Sequence, residues 1–155
     1  MPIGLQQIVG GNFDGWFDIY FAEAYFATRL NASPWTGAES DTKVAALATA
    51  QADIEFHPDF TFTDEDKATP ATAMKNAVCE QALFRLADPD MDLRQSMRAQ
   101  GVTAAWMVQE QYRQGKTAGA VIAPKARDLL AAYAAQRTKA RSHALIRAEA
   151  PAEDE

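Results

Sequence analysis

The chain has 155 residues, 48% of them hydrophobic and 23% charged, which is close to globular averages, suits a single folded domain and excludes general disorder. No apolar run approaches the ~20 residues of a membrane span, the opening MPIGLQQIVGG lacks the basic start of a secretory signal, and the lone cysteine, Cys79, excludes an internal disulfide framework and fits synthesis in a reducing cytoplasm. Net charge is −6 but unevenly spread: residues 1–92 carry 15 acids against 5 bases, residues 93–148 carry 2 against 10, and EAPAEDE closes the chain with 4 more acids.

Residues 1–16 hold Gly4, Gly10, Gly11 and Gly15 around Asn12 and Asp14, a composition that favours turns. They are expected to form an irregular arm, with room for a short strand at Leu5–Val9. Gly10-Gly11 is no phosphate loop, since both the GxGxxG spacing and the P-loop lysine are missing. A first helix is predicted over Asp18–Leu30 with Asp18 as N-cap. Phe17, Phe21, Ala24 and Thr28 make its apolar stripe, widened by Tyr20, Tyr25 and Phe26. So many aromatics on one short helix suggest burial against a core and a neighbouring subunit.

In NASPW, Asn31 can take a left-handed cap and Pro34 is expected to stop the helix. Thr36 to Glu39 has capping-box spacing and predicts a second helix to about Phe56, with Val44, Leu47, Ala48, Gln51 and Ile54 facing inward. The short link predicts that the two helices are antiparallel neighbours pinned at their turn by Trp35, a structural anchor. The acidic HPDFTFTDEDK, residues 57–67, reads as a loop with an extended piece at Phe60–Thr63. Thr69 and Pro70 predict the start of a third helix to Ala87, packed through Met74, Ala77, Val78 and Ala82, with Leu83, Phe84 and Leu86 broadening its face. Cys79 reads as a small buried apolar residue, and Asp88-Pro89 as the stop. Between Met91 and Gly101 helical and extended readings compete. Val102, Ala104, Trp106 and Val108 then alternate as in a strand, and residues 113–119 form a loop. A last helix starts near Pro124, with Ala126, Leu129, Leu130, Tyr133 and Ala134 inside.

Beyond Tyr133 the apolar face thins, and Arg137, Lys139, Arg141 and Arg147 follow, so residues 135–155 are expected to project as a basic helix with an acidic end. Four bases on one helix can meet phosphates or an acidic protein surface. The charge split allows attraction between copies or partners, and equally allows neutralisation within one molecule. The fold class expected is mainly α: a small antiparallel helical bundle over 17–134 with a short extended segment, an irregular arm and a C-terminal extension.

Catalytic chemistry finds no support in the sequence. Two histidines and one cysteine do not make a common zinc site. Asp88, Asp90 and Asp92 begin like a calcium loop, but Leu93 and Ala99 stand where glycine and glutamate are needed. No serine has a motif pairing it with histidine and carboxylate. His57, flanked by Asp53 and Asp59, reads as a lone surface histidine rather than a general base. No enzyme activity, metal or cofactor is expected.

YFATRLNASPW, the following ALATAQADIE, MKNAVCEQALFRLAD and the closing IAPKARDLLAAY, taken in order, resemble the head–tail adaptor (connector, head-completion) proteins of tailed double-stranded DNA phages. The resemblance covers roughly residues 17–134. It implies a structural virion protein of the neck, at the head–tail interface, made in the bacterial cytoplasm. Such proteins form a ring, usually twelvefold, between the portal protein and the stopper or tail-completion proteins, and extend the channel for the packaged DNA. A C-terminal segment commonly grips the portal, which would give that role here to residues 135–155 with Arg137, Lys139, Arg141 and Arg147. The alternative is a single-stranded DNA-binding accessory protein using the same basic helix. The net charge of −6 counts against loose DNA binding.

Overall fold

The computed structural model describes residues 15–99 and 120–148, with side chains described as far as residue 97 and from 120 to 140. The arm up to residue 14 with its expected strand, the alternating run Val102–Val108, the loop 113–119 and the acidic tail lie outside the described residues. Within them the chain is mainly α: α1 (Ile19–Ala27), α2 (Ser33–Thr36), α3 (Ser40–Glu55), α4 (Asp64–Ala68), α5 (Thr72–Ala87), α6 (Met91–Ala99) and α7 (Pro124–Ala148). No strand forms among the described residues. The extended piece expected at Phe60–Thr63 is irregular backbone, with no neighbouring strand to take its backbone groups, and Phe60 and Phe62 lean on the core.

Helix α5 is the centre. Its residues from Ala77 to Leu83 are all buried, so it is covered on every side and not along one stripe. It packs along α3 and α7, and more briefly on α2 and α1. The helices before and after Trp35, expected to pack as a pair, thus pack chiefly on α5, and the Glu23–Lys43 ion pair at 2.8 Å bridges α1 to α3.

Asp18 caps α1 as its position predicts, accepting the Phe21 N–H at 3.1 Å. The face of α1 turned inward is Ile19, Ala22 and Phe26, at spacings of three and four. Ala24 and Thr28, expected inside, are exposed. Phe17 and Phe21 are half-buried at the rim, their rings 5.1 Å apart, so the stripe read through them had helical spacing but the wrong phase. Trp16, at the end of the expected arm, is core: its backbone N–H donates to Gln51 Oε1 at 2.8 Å and its ring meets Phe62 edge-on at 5.2 Å.

The turns depart from expectation in a consistent way. Asn31 is left-handed, with φ 59°. Pro34 then opens α2 instead of only ending α1, since a proline in a first turn sacrifices no helical bond. Thr36 forms no capping box with Glu39; it belongs to α2, and its hydroxyl turns back to the carbonyls of Ala32 and Ser33. Glu39 precedes α3 without a side-chain cap. Thr69 closes α4, leaving Ala71 to precede α5. A capping box does form at Thr63–Asp66: Thr63 N–H donates to Asp66 Oδ2 at 2.8 Å, and Asp66 N–H to Thr63 Oγ1 at 3.2 Å.

Candidate docking interface

Helix α7 is continuous from Pro124 to Ala148, so no break in it separates the domain from the expected extension at residue 135. Its start is set by Gln81, whose side chain is fully buried on α5. The Gln81 amide donates to Val121 O and to Asp53 Oδ2, both at 2.9 Å, and its Oε1 accepts the Ala123 N–H at 2.7 Å. Ile122, Ala123, Ala126 and Leu130 are buried, Leu129 and Tyr133 are half-buried, and Ala134, expected inside, is exposed.

Three cations of α7 return to acids of the body. Lys125 Nζ lies 3.2 Å from Glu80 Oε1, Arg127 Nη1 3.1 Å from Asp59 Oδ2, and Arg137 Nη1 2.7 Å from Asp66 Oδ2. The Arg127 guanidinium also sits over the Phe60 ring. The uneven charge of the sequence is therefore matched, at these three points, within one molecule.

Two of these acids are buried. Glu80 is 4% exposed and accepts from Tyr25 Oη at 2.5 Å and from Arg29 through Nε at 2.8 Å and Nη2 at 3.2 Å, besides Lys125. Burial alone would raise its carboxyl; the bonds from Arg29, Tyr25 and Lys125 outweigh that and hold it below its ordinary value. Tyr25 is pushed up in return, by burial and then by the carboxylate it donates to. Asp66 follows the same pattern. Desolvation opposes its ionisation, and Thr63, Tyr133 and Arg137 overcome it. A third network joins α3, α5 and α6: Arg85 pairs with both Asp53 oxygens at 2.6 Å and with Asp92. Those acids, Asp53 foremost, raise the guanidinium further.

The four basic residues expected as contacts share this one helix but not one situation. Arg137 is half-buried in its pair with Asp66, and Lys139, two residues on, is exposed. Arg141 and Arg147 lie on later turns of α7, their side chains outside the described set. Trp35 is fully buried: its ring stacks on Phe26 at 4.5 Å, Nε1 donates to Glu23 Oε2 at 3.3 Å, and the Lys43 ammonium is 5.2 Å from the ring centroid.

Other candidates are placed just as plainly. His57 is buried rather than at the surface: its Nδ1 accepts the Asp59 N–H at 3.1 Å, its ring packs on Phe60, and its Nε2 has no partner. Packing on Phe60, itself held against the core, goes with the burial, which the neighbouring Pro58 and acids did not suggest. Asp53, its sequence neighbour, is committed to Arg85 and Gln81. Burial pushes the Cys79 thiol up, away from thiolate chemistry. Among the described residues no group of three or more His, Cys, Asp or Glu is placed to hold a metal ion, and no helix is long and apolar enough to cross a membrane.

Glu80, Gln81, Arg85 and Asp66 were not singled out in the sequence, and Tyr25 was read there only as part of an apolar stripe, not as a donor to Glu80. One signal was there: Glu80-Gln81 interrupts the apolar run of α5 between Cys79 and Ala82, and a polar pair at core positions needs partners. No family model, no curated protein and no solved structure matches this chain.

Proposed function

We propose that the chain is a head–tail adaptor of a tailed double-stranded DNA phage or phage-like particle. It is a structural neck protein that forms a ring, twelvefold in the family it resembles, between the portal and the stopper or tail-completion proteins. The ordered run of motifs from residue 17 to 134 carries this reading. A mainly helical fold agrees with it, as does a C-terminal helix that continues for eleven residues past Arg137, to Ala148. Docking to an acidic surface of the portal falls to the distal turns of α7, which bear Lys139, Arg141 and Arg147.

Fractionating a producing-cell lysate on a density gradient tests the proposal. The chain is expected in particle fractions at a copy number near that of the portal. Recovery from the soluble pool alone overturns it and turns attention to single-stranded DNA, where binding that falls steeply with salt is the signature of phosphate contact.

A further inference from the structure

Helix α4 buries no apolar side chain: of its five residues, the buried one is Asp66. So short a helix has little stability of its own, and burying a carboxylate is unfavourable unless it is well paired. The reason for α4 therefore lies in what its carboxylate holds. Asp66 Oδ2 accepts from Thr63 N–H and, at 2.7 Å, from Arg137; Oδ1 accepts from the Tyr133 hydroxyl at 2.8 Å. Tyr133 and Arg137 are four residues apart and so share a face of α7, the guanidinium lying 5.7 Å from the Tyr133 ring centroid. Lys67 of α4 is tied in turn to Glu55 at the end of α3, at 3.3 Å.

We infer that Asp66 is a positioning residue: α4 is a bracket that sets the direction in which the distal turns of α7, with Lys139, Arg141 and Arg147, leave the body. This deepens the docking role proposed for those turns and rests on it. It also makes Arg137 an anchor instead of a docking contact.

Nitroxide labels at Ala52→Cys on α3 and Ala140→Cys on α7, both exposed positions, report the direction of the distal helix in the full chain, while native Cys79 is buried. The parent is expected to give a narrow distance distribution, Arg137→Ala a clearly broader one, Tyr133→Phe an intermediate one, and Arg137→Lys a restored one. An Arg137→Ala distribution as narrow as the parent's overturns the inference. Asp66→Asn also disturbs the α4 capping box, because one amide oxygen cannot replace both carboxylate oxygens toward Thr63 and the α7 donors, so the variants on α7 carry the test. Binding to poly-L-glutamate, standing in for an acidic protein surface, is the second readout. Arg137→Ala is expected to weaken it about tenfold, because an unfixed helix must be ordered on binding, and Arg137→Lys to restore it. Lost binding with an unchanged distribution makes Arg137 a direct contact and overturns the inference. A parent that ignores poly-L-glutamate while its variants broaden as expected overturns the docking reading and leaves the bracket supported.

Discussion

Glu80 occupies a site from which a lone carboxylate would be expelled. It stays ionised because Tyr25 and Arg29 reach it from α1 and its flank, and Lys125 from α7. Its carboxyl lies below the ordinary 4.5 when folded. The unfolded chain thus binds its proton more readily, and the stabilisation is complete above that value and is lost as pH falls through the folded one. Asp66 adds a like contribution from its ordinary 3.8 downward. Glu80→Gln keeps the shape but gives up the charge. It is expected to lower stability at neutral pH by about 1–3 kcal/mol and to flatten the acid limb of the Tm–pH curve, as calorimetry across that range would show. An unchanged acid limb would mean that other carboxylates govern acid unfolding.

At the scale of elements, the start of α7 is held by one side chain. Replacing Gln81 by leucine leaves the buried Ala123 N–H without its partner, at about 1–3 kcal/mol, and takes a donor from the half-buried Val121 carbonyl. Hydrogen exchange is then expected to speed up in the first turns of α7 while α3 keeps its protection. Uniform loosening would show that Gln81 supports the whole core. The long helices were legible because apolar residues recur at helical spacing: Val44, Leu47 and Ile54 on α3, with the polar Gln51 in the same stripe, and Met74, Ala77, Val78 and Ala82 on α5, all face inward. The short elements were not. Helix α2 hides in SPWT, where Pro34 reads as a stop, and α4 hides in DEDKA, where acids read as a solvated loop. Thr63 and Asp66 already carried the spacing of a capping box, but no apolar run followed them to mark a helix. The expected contacts were only partly legible: a run of bases shows a charged helix, and it cannot show that Arg137 is spent on an acid 71 residues earlier.

For the whole molecule, the anchor at Arg137 changes where a truncation should fall. Removing residues 135–155 takes away the partner of Asp66 along with any docking surface, so a loss of assembly would have two causes. A chain ending at Thr138 keeps the Asp66–Arg137 pair, and a chain ending at Ala134 does not. Both are expected to fail to join particles, but the shorter one should also melt several degrees lower, at about 2–4 °C per kcal/mol for a protein of this size. If the chain ending at Thr138 still joins particles, docking does not use the distal turns of α7.

The Asp66 clasp also has a place in time. It joins segments far apart in the chain and has no apolar cluster on α4 to draw them together, so closing it brings a loop-entropy cost ahead of any gain. A contact of that kind belongs after the folding barrier, when α3, α5 and the start of α7 have already condensed. Weakening it leaves the rate of folding nearly untouched and appears as faster unfolding, so the same residues that aim the helix also govern how long the folded chain lasts.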